Sequence, residues 1–254
     1  MDTKPAFRCL PLLLLAGAAR LDAAVLFSEN FESRTLGAFV SPTESGGDGT
    51  DWTDVAPTGW VRDQGATPTG GPAEFFGFTF LDKQSWINTE QDQNRSAWAG
   101  GAGTVMVADP DAYDDGNADI GGGLYNVRIT TPAISLTNIA ANSIVLGFDS
   151  SFRVEGNQTA LVDVTFDGTN FINLLTYNSA LLTDGDTINT LQSLPVNNGT
   201  SGTMRFRFSM VNAENNWWWA LDNITVNGTV VPEASTGLLS LLAAAGLWSR
   251  RRRA

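Results

Sequence analysis

Twenty-seven acidic residues, 15 basic residues and no histidine set the chemistry open to this 254-residue chain. Without imidazole there is no Ser-His-Asp hydrolysis, no histidine general base, and no zinc or iron site of the usual nitrogen-ligated kind. A bound metal would be hard and oxygen-ligated, and Ca2+ is the first expectation. The densest acidic stretch runs from Asp109 to Gly121, where Asp115, Asn117 and Asp119 alternate as the first three ligands of a calcium loop do. The match is incomplete. Glycine falls at the seventh position of this loop, where an EF-hand has it at the sixth, and Asn126 stands at the twelfth in place of Glu. A metal loop and a solvated acidic loop are both open readings.

Catalysis finds little support. So many acids offer so many carboxylate pairs that none is informative for glycoside hydrolysis. A lyase would need Tyr, Lys or Arg beside a neutralised carboxylate, and Tyr113, Tyr125 and Tyr177 stand in no recognisable motif. Neither a nucleophile elbow nor a phosphate loop occurs. Trp217, Trp218 and Trp219 are the sharpest aromatic feature. Adjacent side chains on a strand point to opposite faces, so the three rings cannot all enter one core. A ring left outside is a stacking platform for a sugar; rings covered by loops are structural. Trp52, Trp60, Trp86 and Trp98 lie in a Gly-rich region, 43–103, that is expected to wrap the domain as loops and could build a binding face. The leading reading is a non-catalytic glycan-binding protein. A surface glycosidase or lyase and a purely structural matrix protein are the alternatives.

These residues must be positioned by strands. Ala160, Val162, Val164 and Phe166 share one face against Asp163, Thr165 and Asp167, and Met204, Phe206, Phe208 and Met210 oppose Thr203, Arg205, Arg207 and Ser209. Further strands are expected at 25–31, 104–108, 125–130, 143–152, 171–177 and 217–226, with turns at Asp167-Gly168, Asp184-Gly185 and Asn198-Gly199. No long window has helical periodicity. Residues 25–230 read as one all-β domain, an antiparallel two-sheet sandwich of jelly-roll type.

Phe27-Ser28-Glu29-Asn30-Phe31-Glu32 and Trp219-Ala220-Leu221-Asp222-Asn223-Ile224-Thr225-Val226 resemble the first and last strands of jelly-roll modules in the carbohydrate-binding, MAM and concanavalin-like group. The resemblance implies that the two terminal strands are neighbours and that a structural calcium is held between them. Strand phase points the same way, for Glu29 falls with Phe27 and Phe31, and Asp222 with Ile224 and Val226. Two inward carboxylates without an inward base are costly unless a cation lies between them. Glu29, Glu32 and Asp222 are the candidate ligands; a bulge that turns these acids outward is the alternative. The fragments Phe80-Leu81-Asp82-Lys83, Trp86, Asp92-Gln93, Arg95-Ser96, Val107-Ala108-Asp109-Pro110-Asp111, Phe148-Asp149-Ser150-Ser151-Phe152 and Trp217-Trp218-Trp219 resemble an accessory module of exported bacterial phosphoesterases. Here it would stand alone, without phosphatase activity.

The ends give an address. Lys4 and Arg8 precede an apolar run from Leu10 to Ala19 with small residues after it, which reads as a signal peptide over 1–24, cleaved between 19 and 24. Cys9, the single cysteine, lies inside it, so the mature protein is expected to hold no disulfide. At the other end, Gly237 to Trp248 is apolar for only 12 residues, too short for a lasting span, and Arg250, Arg251, Arg252 and Arg253 follow. Together with Pro232-Glu233, this tail over 231–254 resembles the PEP-CTERM sorting signal of exosortase systems, although the usual Pro-Glu-Pro is here Pro-Glu-Ala. The resemblance implies export, transient membrane retention, cutting near Pro232 and Glu233 by an exosortase-type enzyme, and release to the cell surface or extracellular matrix. Seven of the 15 basic residues and three of the 27 acidic ones fall in these two end segments, so the body is strongly acidic. Such a surface repels nucleic acid and attracts divalent cations; an extracellular polysaccharide is the expected partner.

Overall fold

The alternation along 160–166 and 203–210 becomes two antiparallel neighbours, and one sheet of a sandwich grows outward from them. A computed structural model describes residues 22–37, 51–114 and 124–231. Residues 1–21, which hold most of the expected signal peptide, the loop candidates Asp115, Asn117 and Asp119, and the tail with Pro232, Glu233 and Arg250 to Arg253 lie outside the described residues. In chain order the strands are β1 (Asp22–Glu29), β2 (Trp52–Thr53), β3 (Val61–Asp63), β4 (Thr79–Asp82), β5 (Thr104–Ala108), β6 (Tyr125–Thr130) and β7 (Ile134–Ser135). They continue with β8 (Ile144–Arg153), β9 (Thr159–Thr165), β10 (Phe171–Tyr177), β11 (Thr187–Val196), β12 (Thr203–Ala213) and β13 (Trp219–Val230). Two short helices interrupt them, α1 (Lys83–Thr89) and α2 (Pro110–Asp114).

A seven-stranded sheet has the order β11-β8-β13-β5-β4-β2, with β1 also paired to β13; a six-stranded sheet has the order β10-β9-β12-β6-β3, with β7 also on β12. The first and last strands of the domain are therefore neighbours. The chain forms an antiparallel β-sandwich of jelly-roll type. Its core lies between the sheets, where Phe148 and Trp219 of the larger sheet meet Phe208 of the smaller at 5.5 and 6.0 Å between ring centroids. Met204, Phe206, Phe208 and Met210 are buried, so the inward phase of β12 is the expected one.

The inward phase expected of Asp222 fails, through a positive φ. Asn223, at φ 52°, shifts the register of β13 on β8 between Asp222↔Asp149 and Thr225↔Gly147. An extra residue flips every side chain beyond it, so Asp222 leaves the core face that Ile224 and Val226 occupy. Phe31, at φ 61°, bends the chain just after β1, and the Glu29 carboxylate turns back to accept a hydrogen bond from Phe31 N at 2.8 Å.

Candidate functional site: one covered sheet face and one open one

The outer face of the seven-stranded sheet is covered by α1 and the segment after it. Asp82 caps α1 by accepting from Ser85 N at 2.7 Å, which sets the helix so that Trp86 packs inward. Trp86 then meets Trp218 edge to face at 5.7 Å. Arg95, 1% exposed, packs against both rings, with its guanidinium 4.7 Å from the Trp86 centroid and 4.2 Å from that of Trp218. Asp109 neutralises it at 2.9 Å and also accepts from Trp86 Nε1 at 3.0 Å. Arg153 continues the stack outward, 4.0 Å from the Trp217 centroid. Asp82-Lys83, Trp86, Arg95, Asp109, Ser150-Ser151 and the three tryptophans thus converge in space, and their joint role is architectural.

The tryptophan triplet is corrected accordingly. Trp218 and Trp219 are each 0% exposed, on opposite faces, and donate through Nε1 to Ser151 Oγ and Ser150 Oγ. No sugar can stack on either ring. Trp217 alone is half-buried, and Arg153 already covers one of its faces. Trp60, Trp86 and Trp98 are buried as well, so the Gly-rich region turns these three rings inward, while Trp52 is half-buried.

Beside this cover lies a carboxylate cluster. Asp222 is 2% exposed; it accepts from Ala102 N at 3.2 Å and Asn223 N at 2.7 Å. Glu32 accepts from Thr104 N at 3.3 Å, and a Cβ on Gly103 would fall on its carboxylate. Asp149 takes a hydrogen bond from Asn223 Nδ2 at 3.1 Å and packs against Gly100 in the same way. Burial pushes the Asp222 carboxyl up to about 6, with the nearby charges of Glu32 and Asp149 adding to the rise against the two backbone hydrogen bonds. A base does approach this cluster, one that strand patterning could not reveal. Lys83 Nζ donates to Trp98 O and, at 3.0 Å, to Gly101 O. The peptide unit joining Gly101 to Ala102 therefore links the Lys83 ammonium through its carbonyl to the Asp222 carboxylate through its N–H. Burial lowers the Lys83 pKa, opposed by Asp222 and Asp92.

The oxygen donors here suit calcium in type. Glu32 and Asp222 are brought together as ligand candidates, while Glu29 is engaged by Phe31 N. Among the described residues no three carboxylates converge tightly enough to form a complete acidic metal cage. Two backbone carbonyls of the neighbouring segment already hold Lys83.

The outer face of the six-stranded sheet is different. Across β10, β9 and β12 the register aligns Asn173, Asp163 and Arg207, and in the next row Phe171, Thr165 and Arg205. Arg207 pairs with Asp163 at 2.8 Å, and its guanidinium lies 3.5 Å from the Phe171 ring centroid. Asn173 Nδ2 donates to Asp163 Oδ1 at 3.0 Å. Ser209, two residues along β12, is 1% exposed and its Oγ has no hydrogen-bond partner among the described residues. The result is a polar strip of fixed donors and acceptors beside one aromatic ring. Sequence reasoning had the alternation of 203–210 that places Arg205 and Arg207 outward, but it had no signal for the pairing with Asp163 and Phe171.

An antiparallel β-sandwich with one armoured and one open sheet face is the class these observations define. No protein-family model and no curated protein matches the chain. Among solved structures, a cyclase from Fischerella sp. TAU is 11% identical with a TM-score of 0.48, covering 83% of this chain and 100% of that one. The K3 cleaved adhesin domain of Lys-gingipain from Porphyromonas gingivalis W83 is 15% identical with a TM-score of 0.42, covering 81% and 99%. TmCBM61 in complex with β-1,4-galactotriose is 10% identical with a TM-score of 0.35, covering 66% and 88%. Likeness at this level assigns neither a site nor an activity.

Proposed function

We propose that this chain is an exported, non-catalytic β-sandwich protein that binds extracellular polysaccharide on the outer face of its six-stranded sheet. The observation that carries the reading is the row Asn173–Asp163–Arg207 set in register beside Phe171. Planar donors and acceptors held by strands suit the hydroxyls of a sugar, and an aromatic face suits its apolar ring surface. The opposite sheet face is filled by Trp86, Arg95 and Trp218 and leaves no comparable platform. Calcium is given a structural role at Glu32 and Asp222, two carboxylates brought near one another, where burial first and then the charges of Glu32 and Asp149 raise the Asp222 pKa. The Pro232-Glu233 tail with its four arginines supports delivery by an exosortase-type enzyme to the cell surface or matrix.

The test is equilibrium binding of the full chain to a panel of polysaccharides, with Phe171→Ala and Asn173→Ala as variants and near-ultraviolet circular dichroism to verify folding. Each variant is expected to weaken binding about tenfold, the order of a lost stacking contact or of a hydrogen bond to a fixed partner. Wild-type protein that binds no polysaccharide, or folded variants that bind undiminished, would overturn the reading.

A further inference from the structure

Arginines are scarce in this acidic body, yet three of them, Arg128, Arg205 and Arg207, project from the outer face of the six-stranded sheet. Two have carboxylate partners: Arg207 pairs with Asp163 at 2.8 Å and Arg128 with Asp63 at 3.7 Å. Among the described residues no carboxylate lies within ion-pair distance of Arg205, and the one hydrogen bond of its side chain is to Thr131 O, 3.0 Å away. Its side chain lines an open pocket of about 160 Å³ together with Thr165, Asp167, Gly168 and Thr203. The acid in that pocket does not serve as its counter-ion. Asp167 accepts from Thr165 Oγ1, Thr169 N, Asn170 N and Asn170 Nδ2, and the Asn170 bonds first, then the others, hold its pKa well below the usual carboxylate range. Its carboxylate oxygens are occupied by the turn. The remaining guanidinium N–H groups of Arg205 have no partner among the described residues, and Arg205 shares a strand row with Phe171, beside Arg207.

We propose that the ligand of this face is an acidic polysaccharide, and that Arg205 seats a uronate carboxylate while the neighbouring sugar lies over Phe171 and Arg207. The inference rests on the glycan-binding reading above and names its substrate class. A guanidinium matches a carboxylate with two parallel hydrogen bonds, which an alcohol cannot reproduce. The spacing is compatible: Arg205 and Arg207 follow one another at a two-residue step, roughly 6.5 Å on a strand, so the strip can engage successive units of a polymer.

Two probes decide the matter, polygalacturonate and the same polymer with its carboxylates reduced to primary alcohols, each titrated against the full chain. The wild type is expected to bind the uronate polymer about tenfold more tightly than the reduced one, as a charge-assisted hydrogen-bonded pair implies. Arg205→Ala should abolish that preference, bringing affinity for the uronate polymer down to that for the reduced one. Equal wild-type affinity for the two polymers overturns the inference while leaving glycan binding intact, and this arm needs no variant to fold. A preference that survives Arg205→Ala also overturns it, as does equal binding of single-stranded DNA of matched charge. If neither polymer nor any neutral glycan binds, the underlying reading falls as well.

Discussion

Asp222 offers a quantitative check on the carboxylate cluster. Its pKa of about 6 in the folded protein stands against 3.8 for the unperturbed group. Proton binding is therefore favoured by the folded state. Stability from this group is fully present below about 3.8 and is lost as pH rises through about 6. At about 1.4 kcal/mol per unit the shift corresponds to roughly 3 kcal/mol, reduced to about 2 kcal/mol for screening by water around the exposed Glu32. For a domain of this size that is a change in Tm of about 4 to 8 °C. Glu155, whose pKa burial also raises, adds to the trend, whereas the stabilisation from Asp92 and Asp167, both lowered by hydrogen bonds, is lost only below this range. The decisive quantity is thus the difference between wild type and Asp222→Asn, followed by thermal melts in chelator from pH 4 to pH 8. Asn mimics the protonated acid, so the variant should gain about 2 kcal/mol on wild type between these limits. Millimolar calcium at pH 8 should restore wild-type Tm and leave the variant unmoved, because only an ionised Asp222 is a strong ligand. A difference that stays constant with pH would refute the electrostatic account of this cluster. Calcium-independent melting of the wild type would refute the metal assignment.

Trp218→Ala should cost about 3 to 5 kcal/mol, since it removes a fully buried ring that packs on Trp86 and Arg95, whereas Trp217→Ala should cost visibly less; urea unfolding distinguishes them. Asp109→Asn leaves the buried Arg95 guanidinium without its counter-charge and should lower stability by about 3 to 5 kcal/mol in the same assay. Mass spectrometry of the surface-exposed protein is expected to find a C-terminus between Pro232 and Ala234, and an intact Arg253 there would count against exosortase processing.

The sandwich was legible because its inner strands obey simple rules. The expected strands 104–108, 125–130 and 171–177 coincide with β5, β6 and β10, and β8 and β13 differ only at their ends. β11 escaped notice because its large apolar residues fall at Ile188, Leu191 and Leu194, a spacing of three that hides a period of two. Leu191 points outward and is 70% exposed, which an edge strand permits. The helices α1 and α2 are seven and five residues long, too short to show a helical period. The candidate site was harder to see. Asp222 and Glu32 were named from strand phase and from the resemblance of the terminal strands, but the bulge at Asn223 and the approach of Lys83 are tertiary facts without a local signature. The tryptophans misled because a run of three aromatic residues suggests an exposed ring, and the sequence does not disclose that α1 and Arg95 will cover the second face. The polar strip on the six-stranded sheet depends on lateral register between strands distant in sequence, so the outward Arg205 and Arg207 gained meaning only once Asp163 and Phe171 were placed beside them.

The central claim is that the open face of the six-stranded sheet, and not the tryptophan-lined one, receives the polysaccharide. Hydrogen–deuterium exchange of the full chain with and without bound polysaccharide tests it most directly. Protection is predicted in residues 163–173 and 203–209, with no change in residues 86–103. Protection confined to the 86–103 cover and Trp217 would contradict the account.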